Sequence, residues 1–103
     1  SLIKENHKNA AIYHKLGEIY QQIQLPLLAR DNYLKAVELI PDEDIAGIAE
    51  VQADLGQIYR TLGQKKEAVY WLTLAYNQYQ QLGEQQRQTE IKQLVEQISQ
   101  STL

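Results

Sequence analysis

A five-residue pattern, Leu-Gly-x-Ile-Tyr, occurs twice in this chain, at Leu16–Tyr20 and again at Leu55–Tyr59. The two glycines, Gly17 and Gly56, stand 56 − 17 = 39 residues apart. The apolar residues around each fall at helical spacing, so both glycines sit inside predicted helices, where glycine costs roughly 1 kcal/mol relative to alanine. A chain that repeats such a residue at a fixed offset is building the same close contact twice, and this constrains its fold more than its composition does.

Sliding the sequence over itself by 39 residues extends the match. Leu16/Leu55, Gly17/Gly56, Ile19/Ile58, Tyr20/Tyr59, Ala29/Ala68 and Ala36/Ala75 are identical pairs, and Tyr33 corresponds to Leu72. A further step of 39 carries Leu55 and Tyr59 onto Leu94 and Ile98, so the last predicted helix takes the place of the first helix of another unit.

Five helices follow from the apolar periodicity. The first runs from about Glu5 to Ile23 through Ala10, Ile12, Tyr13, Leu16, Ile19, Tyr20 and Ile23. Pro26, tolerated in a first turn, opens the second, which carries Leu28, Ala29, Tyr33, Ala36, Val37 and Ile40 and stops before Pro41. Asp42, Glu43 and Asp44 read as the cap and first turn of the third helix, where acidic residues favour the helix dipole. That helix carries Ile48, Val51, Leu55, Ile58, Tyr59 and Leu62 and ends at Gly63. The fourth spans about Gln64 to Leu82, ending at Gly83, and the fifth about Glu84 to Gln100. Connections of a few residues make neighbouring helices antiparallel hairpins.

The pattern resembles the tetratricopeptide repeat. In the first unit Tyr13, Leu16, Gly17, Tyr20, Ala29, Tyr33, Ala36 and Pro41 match that family's large–Leu–Gly–Tyr–Ala–aromatic–Ala–Pro signature at every place. In the second, Leu55, Gly56, Tyr59, Ala68 and Ala75 match and Leu72 is conservative, whereas Gln52 and Gln80 depart from it. The family period is about 34 residues, so each unit here carries five more, which fall between Pro41 and Ala49. The resemblance implies an all-α, right-handed α-solenoid segment of antiparallel hairpins: an N-terminal helix extension over 1–9, repeat 1 over 10–43, repeat 2 over 44–83 and a capping helix over 84–100. Small residues at Gly17, Ala29 and Ala36 let helices approach, and Tyr13, Tyr20 and Tyr33 fill the space between them. The last helix suits a cap, with an apolar stripe of Ile91, Leu94, Val95 and Ile98 and polar residues elsewhere.

No catalytic constellation is present. The chain has no cysteine, its serines (Ser1, Ser99 and Ser101) lie near the ends, and there is no Gly-x-Ser-x-Gly or glycine-rich phosphate loop. His7 and His14, seven apart, are two turns and roughly 10 Å from each other, too far for one metal, and read as surface histidines. Asp42, Asp44 and Gly47 mimic the start of a calcium loop, but Ala46 and Ala53 stand where its fifth and twelfth residues should carry oxygen. Neither an enzyme nor a cofactor is expected. A net charge of −3 offers no basic field for nucleic acid. No apolar run reaches the roughly 20 residues that span a bilayer. Without cysteine, a reducing cytoplasmic setting is expected. The lack of methionine, at position 1 as elsewhere, suggests a piece of a longer polypeptide.

In the resembling family the first helix of each unit lines a concave groove that receives a peptide or helix. The register set by Leu16-Gly17 and Leu55-Gly56 puts Ala11, His14, Lys15, Glu18, Gln21 and Gln22 there from the first unit. The second unit supplies Glu50, Ala53, Asp54, Gln57, Arg60 and Thr61, and the fifth helix Lys92, Gln93 and Glu96. The resemblance thus implies a protein–protein interaction scaffold; the alternatives are homo-oligomerisation or an intramolecular regulatory segment. Co-chaperones of this family grip a C-terminal carboxylate with lysine and asparagine. His14, Glu18 and Asp54, followed by Thr89 and Gln93, occupy those places here, and two carboxylates would repel such a ligand. On the fourth helix, Trp71 is expected inside the hairpin and Tyr70 and Tyr79 on a surface. Lys65 and Lys66 are expected in water.

Overall fold

The computed structural model describes residues 2–101, with side chains from residue 4 onward; Ser1 lies outside the described residues. Five helices follow one another: α1 (Leu2–Gln22), α2 (Pro26–Leu39), α3 (Ile45–Thr61), α4 (Lys65–Leu82) and α5 (Gln85–Gln100). The described residues form no strand. α1 packs along α2 and α3 along α4, and across the unit boundaries α2 meets α3 and α4 meets α5.

The hairpin turns repeat as the helices do. Gln24 and Gly63, 63 − 24 = 39 residues apart, both adopt left-handed backbone, at φ 64° and 76°. Each is followed by the same backbone bond, Leu25 N–H to the Tyr20 carbonyl at 2.8 Å and Gln64 N–H to the Tyr59 carbonyl at 2.9 Å. Glycine suits this conformation in the second turn, while glutamine adopts it under strain in the first. Pro26 occupies the first turn of α2, and the helix stops at Leu39, two residues before Pro41. Of the acidic run, only Asp44 caps α3: its Oδ1 accepts the Gly47 N–H at 3.0 Å. Asp42 and Glu43 lie exposed in the preceding turn rather than in the helix.

Both interior glycines are places of helix contact. A Cβ on Gly17 would stand 2.5 Å from ring carbons of Tyr33, and one on Gly56 2.5 Å from Cγ of Leu72. Tyr33 and Leu72, equivalent at the 39-residue offset, are therefore seated directly on glycine backbone. The buried residues form two clusters. Ala29, Tyr33 and Ala36 of α2 join Val51, Leu55 and Ile58 of α3, with Tyr13 and Tyr20 packed against them. Ala49 of α3 joins Ala68, Leu72, Ala75 and Tyr79 of α4 and Ile91 and Ile98 of α5.

Several expectations are corrected. Tyr79 is buried, because α5 lies over the Ala68–Leu72–Ala75–Tyr79 stripe, and Arg87 stands 5.9 Å above its ring. Burial raises its phenol pKa above the ordinary value. Tyr70, by contrast, is exposed as expected, edge-on to Trp71. Trp71 is half-buried and packs on the α2–α3 cluster instead of wholly within its own hairpin. Lys65 is half-buried and donates to the Ser101 carbonyl at 2.6 Å, tying the end of α5 to the start of α4. Ile12, Ile19 and Ile23, read as part of the helical apolar stripe, are exposed.

Candidate partner-binding groove

α1 and α3 both begin their units, and polar side chains join them along one side. Asp44, while capping α3, also meets His7 through Oδ2 at 3.2 Å. Two turns further along, His14 Nε2 and Asp54 Oδ2 lie 2.7 Å apart. Arg60 then donates to Gln97 Oε1 at 3.3 Å, joining α3 to α5. These links connect residues 37, 40 and 37 positions apart, so each is close to one repeat length. The residues opposite one another on successive first helices are those that meet.

His14 is the centre of this face. Its side chain is only 17% exposed, so it is not the surface histidine that its lone position in the sequence suggested. Its ring lies 5.7 Å from the Tyr33 ring, and Glu18 approaches Nε2 at 3.9 Å. The hydrogen bond to Asp54 raises the imidazole pKa above 6.5. Burial opposes that rise, and the charges of Asp54, Glu50 and Glu18 reinforce it. Beneath the ring, the Tyr33 hydroxyl donates to Gln21 Oε1 at 2.7 Å, and burial pushes the Tyr33 phenol well above its ordinary pKa.

Among the sequence-derived groove residues, His14, Glu18, Asp54 and, through its charge, Glu50 are brought to one place, with Gln21 at its edge. Lys15, Gln22, Glu50 and Arg60 are exposed and Gln57 is half-buried. Lys92, Gln93 and Glu96 are exposed on α5, but the hydrogen bond from α3 goes to Gln97, which the register did not single out. Lys92 and Glu96 instead border a hollow with Thr73, Tyr76, Ile91 and Val95, between α4 and α5. The His7–Asp44 and His14–Asp54 pairings escaped the sequence reading. Their signal was there: a histidine and a carboxylate separated by about one repeat.

The cavity beside His7 and His14, closed by Ala10, Ile40, Asp44 and Val51, holds about 110 Å³, against roughly 300–1,000 Å³ for small-molecule sites. Among the described residues no group of three or more His, Cys, Asp or Glu could hold a metal ion, and no helix is long and apolar enough to cross a membrane.

No curated protein and no solved structure matches the chain. A family model for the tetratricopeptide repeat matches residues 8–81. That span takes in both glycine-centred hairpins and the His14–Asp54 contact between them, and with more than two thirds of its length matched, the chain belongs to the tetratricopeptide repeat family.

Proposed function

We infer that this chain is a non-enzymatic interaction module that receives a peptide or helix along the face lined by α1, α3 and α5. Tetratricopeptide repeats generally mediate protein–protein interactions and are typically non-enzymatic scaffolds. The observation that supports this face is the half-buried His14–Asp54 pair at 2.7 Å, where one hairpin meets the next and Glu18 closes in. Polar groups held in place at such a junction give a partner fixed points for hydrogen bonding, and their preorganisation lowers the entropy cost of binding.

The groove residues are His14, Lys15, Glu18, Gln21, Gln22, Glu50, Asp54, Gln57, Arg60 and Gln93, in units over 10–43 and 44–83 with a cap over 84–100, while Lys92 and Glu96 flank it on the side of the α4–α5 hollow. Around His14 the balance is acidic, through Glu18, Glu50 and Asp54. A ligand presenting N–H donors or cationic side chains fits there, and a C-terminal carboxylate does not. The reading includes a cytoplasmic protein partner and neither nucleic acid nor cofactor.

The test compares affinity capture by the chain with capture by a variant carrying Glu18→Lys, Asp54→Lys and Arg60→Glu. Partners retained by the wild type should be lost by the variant while circular dichroism stays unchanged. Identical partner lists would sink the groove assignment. Binding of an acidic C-terminal peptide, weakened by Lys15→Ala, would overturn the stated ligand preference. A self-associating role is the second reading, favoured by the exposed isoleucines of α1. It uses a different face and leaves the groove open.

A further inference from the structure

The two hairpins meet along two lines of opposite character. On one, Ala29, Tyr33 and Ala36 of α2 are buried with Val51, Leu55 and Ile58 of α3, an apolar contact whose titratable group, the Tyr33 phenol, is held well above its ordinary pKa by burial. On the other, facing the groove, α1 is tied to α3 by two histidine–carboxylate pairs, His7–Asp44 at 3.2 Å and His14–Asp54 at 2.7 Å. The two histidines are two helical turns apart, roughly 10 Å. Between them the junction is hollow: a cavity of about 110 Å³ is lined by Ala10 and Ala11 from α1 and by Gly47 and Val51 from α3, with both histidines at its wall. Small side chains and empty space leave much of the hold on this side to the polar pairs.

We propose that this junction is a hinge worked by a proton: while His14 is charged α1 is clasped to α3, and when the ring becomes neutral the first hairpin swings away from α3 about the α2–α3 contact. The charges that face the ring set this direction. Glu18 approaches it from its own helix at 3.9 Å, Asp54 and Glu50 face it from α3, and from α2 comes the Tyr33 ring, 5.7 Å away. Across the cavity stand His7 and Asp44, with Lys4 and Glu43 beside them. The imidazolium therefore sits among three carboxylates contributed by both hairpins. Protonated, it attracts Asp54 and Glu50 across the junction. Neutral, it leaves Glu18 of the first hairpin facing Glu50 and Asp54 of the second, like charges around a ring that is only 17% exposed to screening water.

The Asp54 hydrogen bond raises the ring's pKa above 6.5 in the clasped arrangement, so closure favours the proton and, by linkage, the proton favours closure. The hinge is closed near about pH 6 and opens as pH rises past the raised value. The movement belongs to the chain alone and needs no partner in the groove, so it stands or falls separately from the binding role.

Spin labels on Gln22→Cys and Thr61→Cys, exposed positions one repeat apart on α1 and α3, report the movement in a chain that otherwise has no cysteine. Exchanging the 2.7 Å contact for a water-bridged one adds about 3 Å, so the distance read by double electron–electron resonance should lengthen by about that much between about pH 5.5 and 8.5. His14→Gln keeps a hydrogen-bond donor but cannot titrate, and should hold one distance across the range. Glu18→Gln with Glu50→Gln should shrink the lengthening by removing the repulsion. In the unlabelled wild type, the nuclear Overhauser contact between the His14 ring and the Asp54 methylene should fade over the interval in which the ring titrates, a readout that no substitution can spoil. A label distance that ignores pH, a lengthening that survives His14→Gln or is undiminished by the two glutamines, a shortening as pH rises, or a ring–methylene contact that persists in the neutral form would each overturn the proposal.

Discussion

Replacing Gly17 by alanine ought to stabilise an ordinary exposed helix by roughly 1 kcal/mol. Here the opposite is expected. The new methyl would stand 2.5 Å from Cδ1 and from Cε1 of Tyr33, about an ångström inside ordinary carbon contact. The ring is fully buried and its hydroxyl is tied to Gln21, so it cannot swing away without breaking that bond and disturbing the α2–α3 cluster. Overpacking of this kind costs about 1–3 kcal/mol and occasionally more. A clash at 2.5 Å with a buried, tied ring belongs at the upper end of that range, so set against the gain in helix propensity the net loss for Gly17→Ala is about 2 kcal/mol, a fall in Tm of about 8–16 °C for a domain of this size. Gly56→Ala should behave alike, since its methyl would meet Leu72 Cγ at 2.5 Å with the Ala68 carbonyl 3.2 Å away. Urea and thermal denaturation followed by circular dichroism measure both. If Gly17→Ala proves as stable as the wild type, or more so, the glycine is not a contact point and the packing argument fails.

Two further outcomes follow from single side chains. Gln52 is 7% exposed and its Oε1 has no hydrogen-bond partner, so Gln52→Leu should stabilise the fold by about 1 kcal/mol in urea titration; a loss would show that the amide is satisfied in solution. The pKa of His14 is raised by the hydrogen bond to Asp54, so the protonated ring is the form that folding favours. Its contribution is complete below about pH 6.5, the unfolded value, and disappears as pH rises through the higher folded value. The excess Tm of wild type over His14→Gln should therefore be largest near pH 5.5–6.5 and shrink towards pH 8.5. A difference independent of pH across that range would refute the pairing.

The parts of the fold visible in the sequence were those fixed by steric volume. Gly17, Ala29, Tyr33 and Ala36 could be read because only certain sizes fit where helices touch, and all four are buried. What escaped depends on which faces find a neighbour. Ile12 and Ile19 have the same periodicity as Val51 and Ile58, yet one pair is exposed and the other buried, because α2 packs on the stripe of α3 while no described element packs on that of α1. Tyr79 was misread for the converse reason, although Ala68, Leu72, Ala75 and Tyr79, at spacings of four, three and four, already traced a stripe for α5 to cover. In the groove, the register picked out His14 and Asp54 individually. Their meeting became visible only with α1 and α3 side by side.

The two buried clusters share a single helix. α3 contributes Ala49 to one and Val51, Leu55 and Ile58 to the other, and Tyr59 touches both. α5, by contrast, is held to α4 mainly through Ile91 and Ile98, with Lys65 at its far end. Local opening therefore has a direction. α5 can lift away and leave the α2–α3 cluster whole, whereas nothing can open at α3 without dissolving both clusters at once. Amide protons should exchange first from α5 and last from α3, so the helix that supplies Asp54 and Arg60 to the groove is also the one that stays folded while the ends of the molecule breathe.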